Sequence, residues 1–377
     1  MSGDVTLGGP VTGAGAAAAA GVSEQAVMER VARARRARAR VREERLTMAH
    51  GAGGKATRSL VEAVFLEAFH NPQLAALDDA AALTVGGARL SFTTDAYVVS
   101  PLFFPGGDIG ALAVNGTVND LVVCGARPLF LSAGFILEEG FPVADLTRIV
   151  TAMAAAARAA DVRIVAGDTK VVQRGQADGC YITTAGVGIR ERAHELGVHK
   201  ARPGDVVLVS GPVGDHGMTV LVARGGLDLD VDLRSDTAPL HGVTGALLDA
   251  CGAGVRAMRD ATRGGLARVL NEIARGAEVS IVIDEERVPV RPGVRAAAEL
   301  LGIDPLYVAC EGRFVAVVAP DAAAAALAAL RKHPLGEQAA IIGYVDDDPA
   351  HLVLLRTRCG GTRIVDLLVG DPLPRIC

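Results

Sequence analysis

The run IGALAVNGTVNDLVV, residues 109–123, repeats apolar residues with a helical period. It opens an alternating series in which residues 129–137 look like a strand, 145–160 like a helix, and 163–166 and 181–189 like further strands. Because strands and helices alternate along the chain, this stretch predicts a mixed α/β fold.

The alternation extends in both directions from this stretch. Before it, residues 61–69 have helical spacing and residues 88–94 look like a strand. After it, the turn Arg202-Pro-Gly-Asp205 introduces a second half. That half is predicted to hold strands at 206–209, 279–283, 314–318 and 340–345 and a helix at 264–276. We therefore predict four segments: an extension (1–45), an N-terminal domain (46–200), a C-terminal α/β domain (201–366) and a mobile tail (367–377).

The composition excludes some classes of protein. The 377 residues carry a formal net charge of −5, only 3% are aromatic and none is Trp. An acidic chain with few rings for base stacking argues against nucleic-acid binding. No apolar run reaches the ~18 residues that span a bilayer, and no secretory signal is evident. The six cysteines lack CxxC or zinc spacing, which predicts reduced thiols in a cytoplasmic protein.

The first 45 residues differ from the rest of the chain. They hold a Gly/Ala-rich segment and eight arginines between Arg30 and Arg45. This composition predicts a disordered or loosely helical extension, with a basic arm for a partner as the alternative.

Acidic residues recur at predicted strand ends in the first half. They occur as Asp78-Asp79, Thr94-Asp95, Asn119-Asp120 and Asp168-Thr169-Lys170. Carboxylates arriving from several elements suit Mg²⁺, which links them to phosphate oxygens. Each Asp taken alone is better explained as a turn or helix cap, and only the four segments together favour a metal cluster, whose convergence the sequence does not show.

Two further patterns are candidates for a cleft. The segment His50-Gly-Ala-Gly-Gly-Lys55 precedes a predicted helix, where free backbone N–H groups can hold phosphate, although a flexible turn explains it equally well. Glu311 lies beside an apolar strand, where partial burial would raise its pKa and suit it to proton transfer. An exposed loop position is the alternative for Glu311.

The chain ends in Gly370-Asp-Pro-Leu-Pro-Arg-Ile-Cys377, so a thiol sits on the final residue. Chain ends fray unless they are tied down, which makes Cys377 a candidate carrier arm. A stray surface cysteine is the alternative reading of this residue.

Taken in order, the motifs between residues 46 and 377 resemble the HypE family of hydrogenase maturation proteins. This family lies in the superfamily of aminoimidazole ribonucleotide synthetase, selenophosphate synthetase and thiamine monophosphate kinase. The terminal Pro-Arg-Ile-Cys distinguishes HypE from those relatives, and the N-terminal extension departs from the family pattern. The motifs that carry the resemblance are His50–Gly54, Phe92–Val98, Pro101–Gly107, Asn119-Asp120, Gly134–Gly140, Gly167–Arg174, Gly214–Gly217, Arg259–Gly265, Glu311-Gly312 and Pro374–Cys377.

The resemblance implies a fold and an activity. The fold is two-domain and PurM-like, with an ATP-binding N-terminal sheet domain that pairs in a homodimer. HypE proteins receive a carbamoyl group on the terminal cysteine from HypF and dehydrate it with ATP to a thiocyanate. The cyano group then passes to iron on the HypC–HypD complex, as a ligand for [NiFe]-hydrogenase.

The resemblance also implies site residues. Cys377 is the carrier, and Lys170 and Glu311 position and deprotonate the thiocarbamate. The Mg²⁺ ligands are Asp79, Asp95, Asp120 and Asp168. The remaining ATP contacts are Gly51, Gly53, Gly54, Asn119, Thr169, Asp260 and Arg263.

Two other functions remain open from the sequence. One is a small-molecule ATP-dependent synthetase or kinase of the same superfamily. The other is a non-catalytic protein that only presents Cys377 to partners.

Overall fold

The computed structural model describes residues 41, 43–225, 231–368, 370, 373 and 375–377. These belong to one contact unit of the chain, residues 38–377. The predicted extension lies almost entirely outside the described residues, and so do Pro372 and Pro374 of the tail.

The first half is built on a five-stranded sheet with the order β1-β2-β7-β5-β6. Neighbouring strands are antiparallel except β5 and β6, which are parallel and joined through a helix. A two-stranded ribbon, β3 with β4, leads into the next helix. The strands are β1 (Ala81–Val85), β2 (Ala88–Tyr97), β3 (Phe103–Phe104), β4 (Gly107–Asp108), β5 (Arg127–Glu138), β6 (Arg163–Val172) and β7 (Cys180–Ile189).

The second half contains a seven-stranded sheet with the order β14-β13-β10-β12-β8-β11-β9. Only β10 and β13 run parallel in it. The strands are β8 (Val206–Val209), β9 (Val255–Asp260), β10 (Ser280–Asp284), β11 (Phe314–Val318), β12 (Ala340–Asp346), β13 (Val353–Arg356) and β14 (Thr362–Ile364).

The described residues form ten α-helical segments, of which three precede β1, and a π-helical turn (Val61–Phe65) joins the first two. They are α1 (Lys55–Leu60), α2 (Leu66–Ala68), α3 (Pro72–Ala75), α4 (Ile109–Val123), α5 (Val143–Ala159), α6 (Asp215–Ala223), α7 (His241–Cys251), α8 (Gly265–Gly276), α9 (Pro292–Leu301) and α10 (Ala323–Arg331). Short 3₁₀ turns lie at Met48–Gly51, Val198–Lys200, Gly252–Gly254, Glu285–Arg287, Pro305–Tyr307, Pro320–Ala322 and Pro334–Gly336. Among the described residues, no helix has the length and apolar character needed to cross a membrane.

Helix α4 is the element that joins the two halves. It packs on β2, β5 and β7 of the first sheet and on β9 and α7 of the second half. Apolar residues lie on every side of α4, as expected for a helix that is buried all round, and Ile109, Leu112 and Leu121 are fully buried. The Asp108 carboxylate caps it by accepting hydrogen bonds from the backbone N–H groups of Gly110 and Ala111, at 2.8 and 3.0 Å. Polar residues on α4 are therefore held rigidly between the two halves.

The structure confirms the mixed α/β fold, but three acidic segments are not the strand-end loops that the sequence suggested. Asp95 lies within β2, Asn119-Asp120 lies inside α4, and Asp168 lies in the interior of β6. The strand predicted to end at Ala166 continues to Val172 because the Gly-Asp-Thr segment is extended and pairs with β5. The split at residue 200 stays a prediction, although one sheet lies on either side of it.

Candidate active site

Three carboxylates meet where the two halves face each other. Asp79 precedes β1, Asp120 lies on α4 and Asp260 ends β9, and one oxygen of each lies within 4.8 Å of the others. Thr93 Oγ1 lies 2.7 Å from an Asp120 oxygen and 2.9 Å from the Asp79 carbonyl oxygen, which ties β2 to this group. We call Asp79, Asp120 and Asp260 the carboxylate cluster.

Burial and mutual repulsion disfavour ionisation of the carboxylate cluster. Burial raises the pKa of Asp79 to about 6, against the opposing effect of the neighbouring Arg259 guanidinium. The pKa of Asp120 is raised well above its usual range by burial and then by the charges of Asp95 and Asp260. The pKa of Asp260 is raised in the same way, by burial and then by Asp79. A bound cation would relieve this cost, because opposite charge favours the ionised form.

The free oxygens of these carboxylates fit a cation. Asp79 Oδ2 and Asp260 Oδ2 are buried and have no hydrogen-bond partner among the described residues. Buried polar atoms are normally paired, so two orphaned carboxylate oxygens in one place indicate a missing partner. Hard oxygen donors are the ligands that Mg²⁺ prefers. The donor set therefore fits Mg²⁺.

Arg259 holds Asp79 in place. Its Nη1 donates to Asp79 Oδ1 and to Glu272 Oε2, both at 2.9 Å, and its Nη2 donates to the Leu77 carbonyl oxygen at 2.6 Å and to Asp78 at 3.1 Å. The arginine is buried, so these charge-assisted bonds fix the loop before β1 onto the second half. Because Arg259 occupies Oδ1, the Oδ2 atom of Asp79 is the carboxylate oxygen that remains available to another ligand.

A small polar cavity opens beside the carboxylate cluster. Cys377 and Glu311 both line this cavity, which brings the terminal thiol close to the Glu311 carboxyl group. Glu311 is 3% exposed, and burial followed by the charges of Asp260 and Asp236 raises its pKa well above the usual range. Burial also raises the pKa of the Cys377 thiol. The cavity is lined by Asp95, Ala96, Tyr97, Gly116, Asp120, Asp260, Thr262, Arg263, Glu311 and Cys377.

Two polar residues fix Glu311 through its backbone. The Asp236 carboxylate accepts from the Glu311 N–H at 3.0 Å, and Asn119 Nδ2 donates to the Glu311 carbonyl oxygen at 3.2 Å. Asn119 also donates to the Ala238 carbonyl oxygen and accepts from the Leu240 N–H. All three of these bonds go to backbone groups, so Asn119 helps to hold Glu311 in place, and its predicted contact with the nucleotide stays a prediction.

A larger cleft of about 310 Å³ adjoins this cavity. The glycine segment Gly51–Gly54 forms one wall, and Arg263 donates to the Gly51 carbonyl oxygen at 3.0 Å. Gly53 has a φ of +76°, and a Cβ on Gly54 would lie 2.4 Å from the Leu368 carbonyl oxygen. Arg263 and Cys377 line both the cleft and the cavity, so the thiol lies between the glycine segment and the carboxylate cluster.

The end of the chain is docked. Leu373 and Ile376 are 7% and 3% exposed and join the hydrophobic core. The Arg375 carbonyl oxygen accepts from the Ser100 N–H at 3.2 Å and from Arg224, and the Arg375 guanidinium pairs with Asp178. The docked end accounts for the position of the thiol, and mobility of the tail stays a prediction.

The other predicted residues lie apart from the cavity. Asp168, Thr169 and Lys170 are exposed on β6, the edge strand of the first sheet, where Lys170 pairs with Asp168 at 2.9 Å. Within the described chain they do not join the carboxylate cluster, whereas Asp260 does. Asp95 accepts from the Tyr97 hydroxyl at 3.1 Å and lines the cavity.

Some residues at the site were not singled out from the sequence. Asp236 lies in a segment without regular structure, and no pattern there pointed to a role. His216 and Arg259 occur in motifs that had been noted, but nothing in the sequence revealed their partners.

Profiles of the AIR synthase related protein family match the chain in two places. The N-terminal domain profile matches residues 77–190 and the C-terminal domain profile matches residues 202–354. The carbamoyl dehydratase HypE of Rhizobium leguminosarum bv. viciae is 54% identical over 333 residues, which cover 88% of this chain and 95% of that protein. The chain belongs to the HypE family.

Other HypE proteins agree in sequence and structure. The Escherichia coli K12 HypE is 49% identical over 337 residues, covering 88% of this chain and 99% of that protein. A crystal structure of a HypE–HypF complex matches with a TM-score of 0.78 and 49% identity, over 82% of this chain and 99% of that one. A HypE structure in complex with ATP matches with a TM-score of 0.74 and 47% identity, over 88% of this chain and all of that one.

A thiamine monophosphate kinase-type structure, AaThiL complexed with AMPPCP and TMP, matches at 20% identity with a TM-score of 0.64. It covers 83% of this chain and 96% of that one. At this identity the match shows the shared fold alone.

Proposed function

We propose that this protein is an ATP-dependent carbamoyl dehydratase that converts an S-carbamoyl group on Cys377 into a thiocyanate. The product supplies cyanide ligands for the iron of [NiFe]-hydrogenase. One observation carries the proposal: the last residue, Cys377, lines the same cavity as Glu311 and two members of the carboxylate cluster, Asp120 and Asp260. The relatives named carbamoyl dehydratase HypE support the same reaction.

The reaction removes oxygen from a thiocarbamate, R–S–C(=O)–NH₂. Oxide is a poor leaving group, so the carbonyl oxygen first attacks the γ-phosphorus of ATP, and ADP leaves. One N–H proton is lost as the C=N bond forms. Loss of the second N–H proton then expels phosphate and leaves R–S–C≡N. Two protons must therefore be accepted beside the sulfur.

Glu311 is placed to accept one of these protons. It lines the same cavity as the Cys377 thiol, and its Oε1 is buried without a hydrogen-bond partner among the described residues. A carboxylate in such a place is a strong base once ionised, because its pKa lies well above the usual range. Asn119 and Asp236 hold the backbone of Glu311 in place at the cavity.

The nucleotide site is the adjoining cleft. Backbone N–H groups of the glycine segment Gly51–Gly54 and the Arg263 guanidinium would hold the phosphates, because both present hydrogen-bond donors to an anion. Mg²⁺ would be held by the carboxylate cluster with Asp95 beside it, and it would offset negative charge on the transferring phosphoryl group. The orphaned oxygens of Asp79 and Asp260 support this assignment.

Carbamoylation of the thiol needs a different position of the tail. Burial keeps the docked thiol protonated, whereas the thiolate is the nucleophile in group transfer. We therefore expect HypF to load Cys377 with the tail out of the cavity, and dehydration to follow with the tail docked. The HypC–HypD complex would then take the cyano group, in the cytoplasm.

A homodimer through the first sheet is part of this proposal. The edge strand β6 exposes Val165 and Val171, at 59% and 66%, together with its unpaired backbone edge. A second copy covering this edge would also place a surface next to Asp168, Thr169 and Lys170. Light scattering should then report about twice the 38.7 kDa of one chain, and a mass of one chain alone would count against the dimer.

Removing the carrier tests the function. A Cys377→Ala variant should keep its fold and its nucleotide binding but gain no carbamoyl mass with HypF, carbamoyl phosphate and ATP. Cys359→Ala is the matched control, because Cys359 is an exposed thiol outside both cavities and its loss should change nothing. Thiocyanate formed on the Cys377→Ala protein would refute the carrier assignment.

A further inference from the structure

The penultimate residue is held by a buried histidine. The His216 ring, on α6, is fully buried, and its Nε2 lies 2.8 Å from the carbonyl oxygen of Ile376. That carbonyl belongs to the peptide bond that joins Ile376 to Cys377. The contact therefore acts on the peptide group directly before the reacting residue.

The ring can hold only one orientation in this setting. A carbonyl oxygen accepts hydrogen bonds, so Nε2 must carry the proton that is donated to Ile376. In the neutral ring Nδ1 then accepts, and the Ser235 hydroxyl lies 2.7 Å from it as the donor. The ring also packs edge-on against Phe104, with centroids 5.4 Å apart and planes at 84°. Ser235 and Phe104 thus fix the ring through groups outside the tail, which leaves the Nε2 N–H to hold Ile376.

We propose that His216 is a positioning residue that docks the chain end and sets the sulfur of Cys377 beside Glu311. With the preceding carbonyl fixed, only the rotations within Cys377 itself remain to place the sulfur. The role rests on the proposed function for its catalytic consequence, although the docking itself does not. Among the described residues, the hydrogen bonds and ring contact of the His216 side chain go to Ser235, Ile376 and Phe104, and none goes to the thiol, the carboxylate cluster or the glycine segment.

The other contacts of the tail support a docked state that can open. Arg375 is anchored on the first half by Asp178 and Ser100, and Ile376 is anchored on the second half by His216. The Asp178 pair is solvent-exposed and contributes little by itself, at about 0–1 kcal/mol for such pairs. The buried His216 bond is therefore the contact that most directly sets the last residue.

The test uses a pair of substitutions of equal length. His216→Gln keeps an N–H donor that can reach Ile376, whereas His216→Met fills similar space without a donor. The readout is the rate at which iodoacetamide alkylates Cys377, followed by peptide mapping of the full-length protein. Loss of one such hydrogen bond should raise this rate about threefold to tenfold in His216→Met, with His216→Gln close to wild type.

Internal controls separate docking from general loosening. The exposed Cys359 should react at the same rate in all three proteins, and the buried Cys310 should stay unreactive. Affinity for ATP should be unchanged in both variants. Starting from protein already carbamoylated on Cys377, His216→Met should lose water more slowly with ATP, and His216→Gln should recover most of the rate.

Specific results overturn the proposal. If Cys377 is alkylated equally fast in wild type and His216→Met, the contact does not hold the tail. If His216→Gln and His216→Met raise the alkylation rate equally, the effect comes from the shape of the side chain and not from its hydrogen-bond donor. Should His216→Met not fold, Ser235→Ala carries the test, because it removes the group that fixes the ring tautomer. An alkylation rate equal to wild type in folded Ser235→Ala protein overturns the proposal.

The docking result and the function are distinguishable. Faster alkylation in His216→Met without any carbamoylation of wild-type Cys377 would support docking and refute the dehydratase. Normal dehydration in His216→Met with an unchanged alkylation rate of Cys377 would support the dehydratase and refute the docking role of His216.

Discussion

Replacing Asp260 with Asn should stabilise the metal-free protein and should reduce the stabilisation that Mg²⁺ and ATP provide. The carboxylate cluster brings three oxygens within 4.8 Å of one another, in a buried place. Two unit charges at that distance repel by about 3 kcal/mol at an effective dielectric constant near 20. Proton uptake relieves part of this repulsion, so we expect Asp260→Asn to gain about 1–3 kcal/mol at pH 7 without metal.

The sign follows from the raised pKa of Asp260. Because the folded state disfavours the ionised form, ionisation costs stability at neutral pH, and this cost disappears in acid where the group is protonated in both states. Removing the charge therefore stabilises the metal-free protein at pH 7. With Mg²⁺ and ATP at about 100 times their dissociation constant, wild type should instead gain about 2.7 kcal/mol, and Asp260→Asn should gain less.

Thermal unfolding in EDTA and in Mg²⁺–ATP measures both effects. In EDTA the variant should melt about 1–4 °C above wild type, and in Mg²⁺–ATP this difference in melting temperature should narrow or reverse. Asp249→Asn is the matched control, because its carboxylate is exposed and pairs with Arg192 at 2.7 Å. It should shift neither melting curve appreciably. An Asp260→Asn protein that melts below wild type in EDTA, or gains as much from Mg²⁺–ATP, would refute the reasoning.

Three further changes have directions set by the structure. The Glu311→Gln variant should still accept a carbamoyl group on Cys377, but dehydration of that group should be about 10²–10⁴-fold slower, because Gln cannot take up the proton. Mass spectrometry of the carbamoylated protein measures this rate. An unchanged rate would show that Glu311 is not the base. The Gly54→Ala substitution should lower the free energy of unfolding by about 1–3 kcal/mol and weaken ATP binding, because the new Cβ would lie 2.4 Å from the Leu368 carbonyl oxygen. A Cβ on Gly51 meets nothing within 4 Å, so Gly51→Ala is the control and should match wild type in urea unfolding. Burial raises the pKa of Asp215 to about 6, so its ionisation costs the folded state up to about 3 kcal/mol as pH rises from 4 to 7. Urea unfolding at these two pH values should show Asp215→Asn losing less stability than wild type, and an equal loss in both proteins would contradict this cause.

Periodicity was sufficient for the elements that carry strong apolar patterns. Residues 109–123 were predicted as a helix and form α4 with those bounds, and the strands predicted at 206–209 and 314–318 are β8 and β11. The patterns were strong because these elements are buried, so their apolar residues are selected by packing on both sides.

Positions of the acidic residues were harder to predict. Asp120 was placed at a strand end, but it lies on a helix whose partners come from both halves of the chain. Asp260 joins the cluster only because β9 ends next to α4, and this contact spans 140 residues of sequence. Convergence of this kind depends on tertiary packing, which local patterns do not contain.

The tail shows the same limit. Its terminal thiol stood out in the sequence, and fraying of chain ends predicted a swinging arm. The residues that dock it are far away in the sequence and include Ser100, Asp178, His216 and Arg224. No pattern within the last eight residues identifies these partners.

The central claim is that Cys377 carries the carbamoyl group and that ATP dehydrates it there. The most direct test is the intact mass of the purified protein after incubation with HypF, carbamoyl phosphate and ATP, followed by mapping of the C-terminal peptide. We expect a carbamoyl increment on Cys377 that loses the mass of one water only when ATP is present. An unmodified Cys377 in a reaction that still consumes ATP would contradict the account and would indicate a small-molecule phosphate acceptor instead.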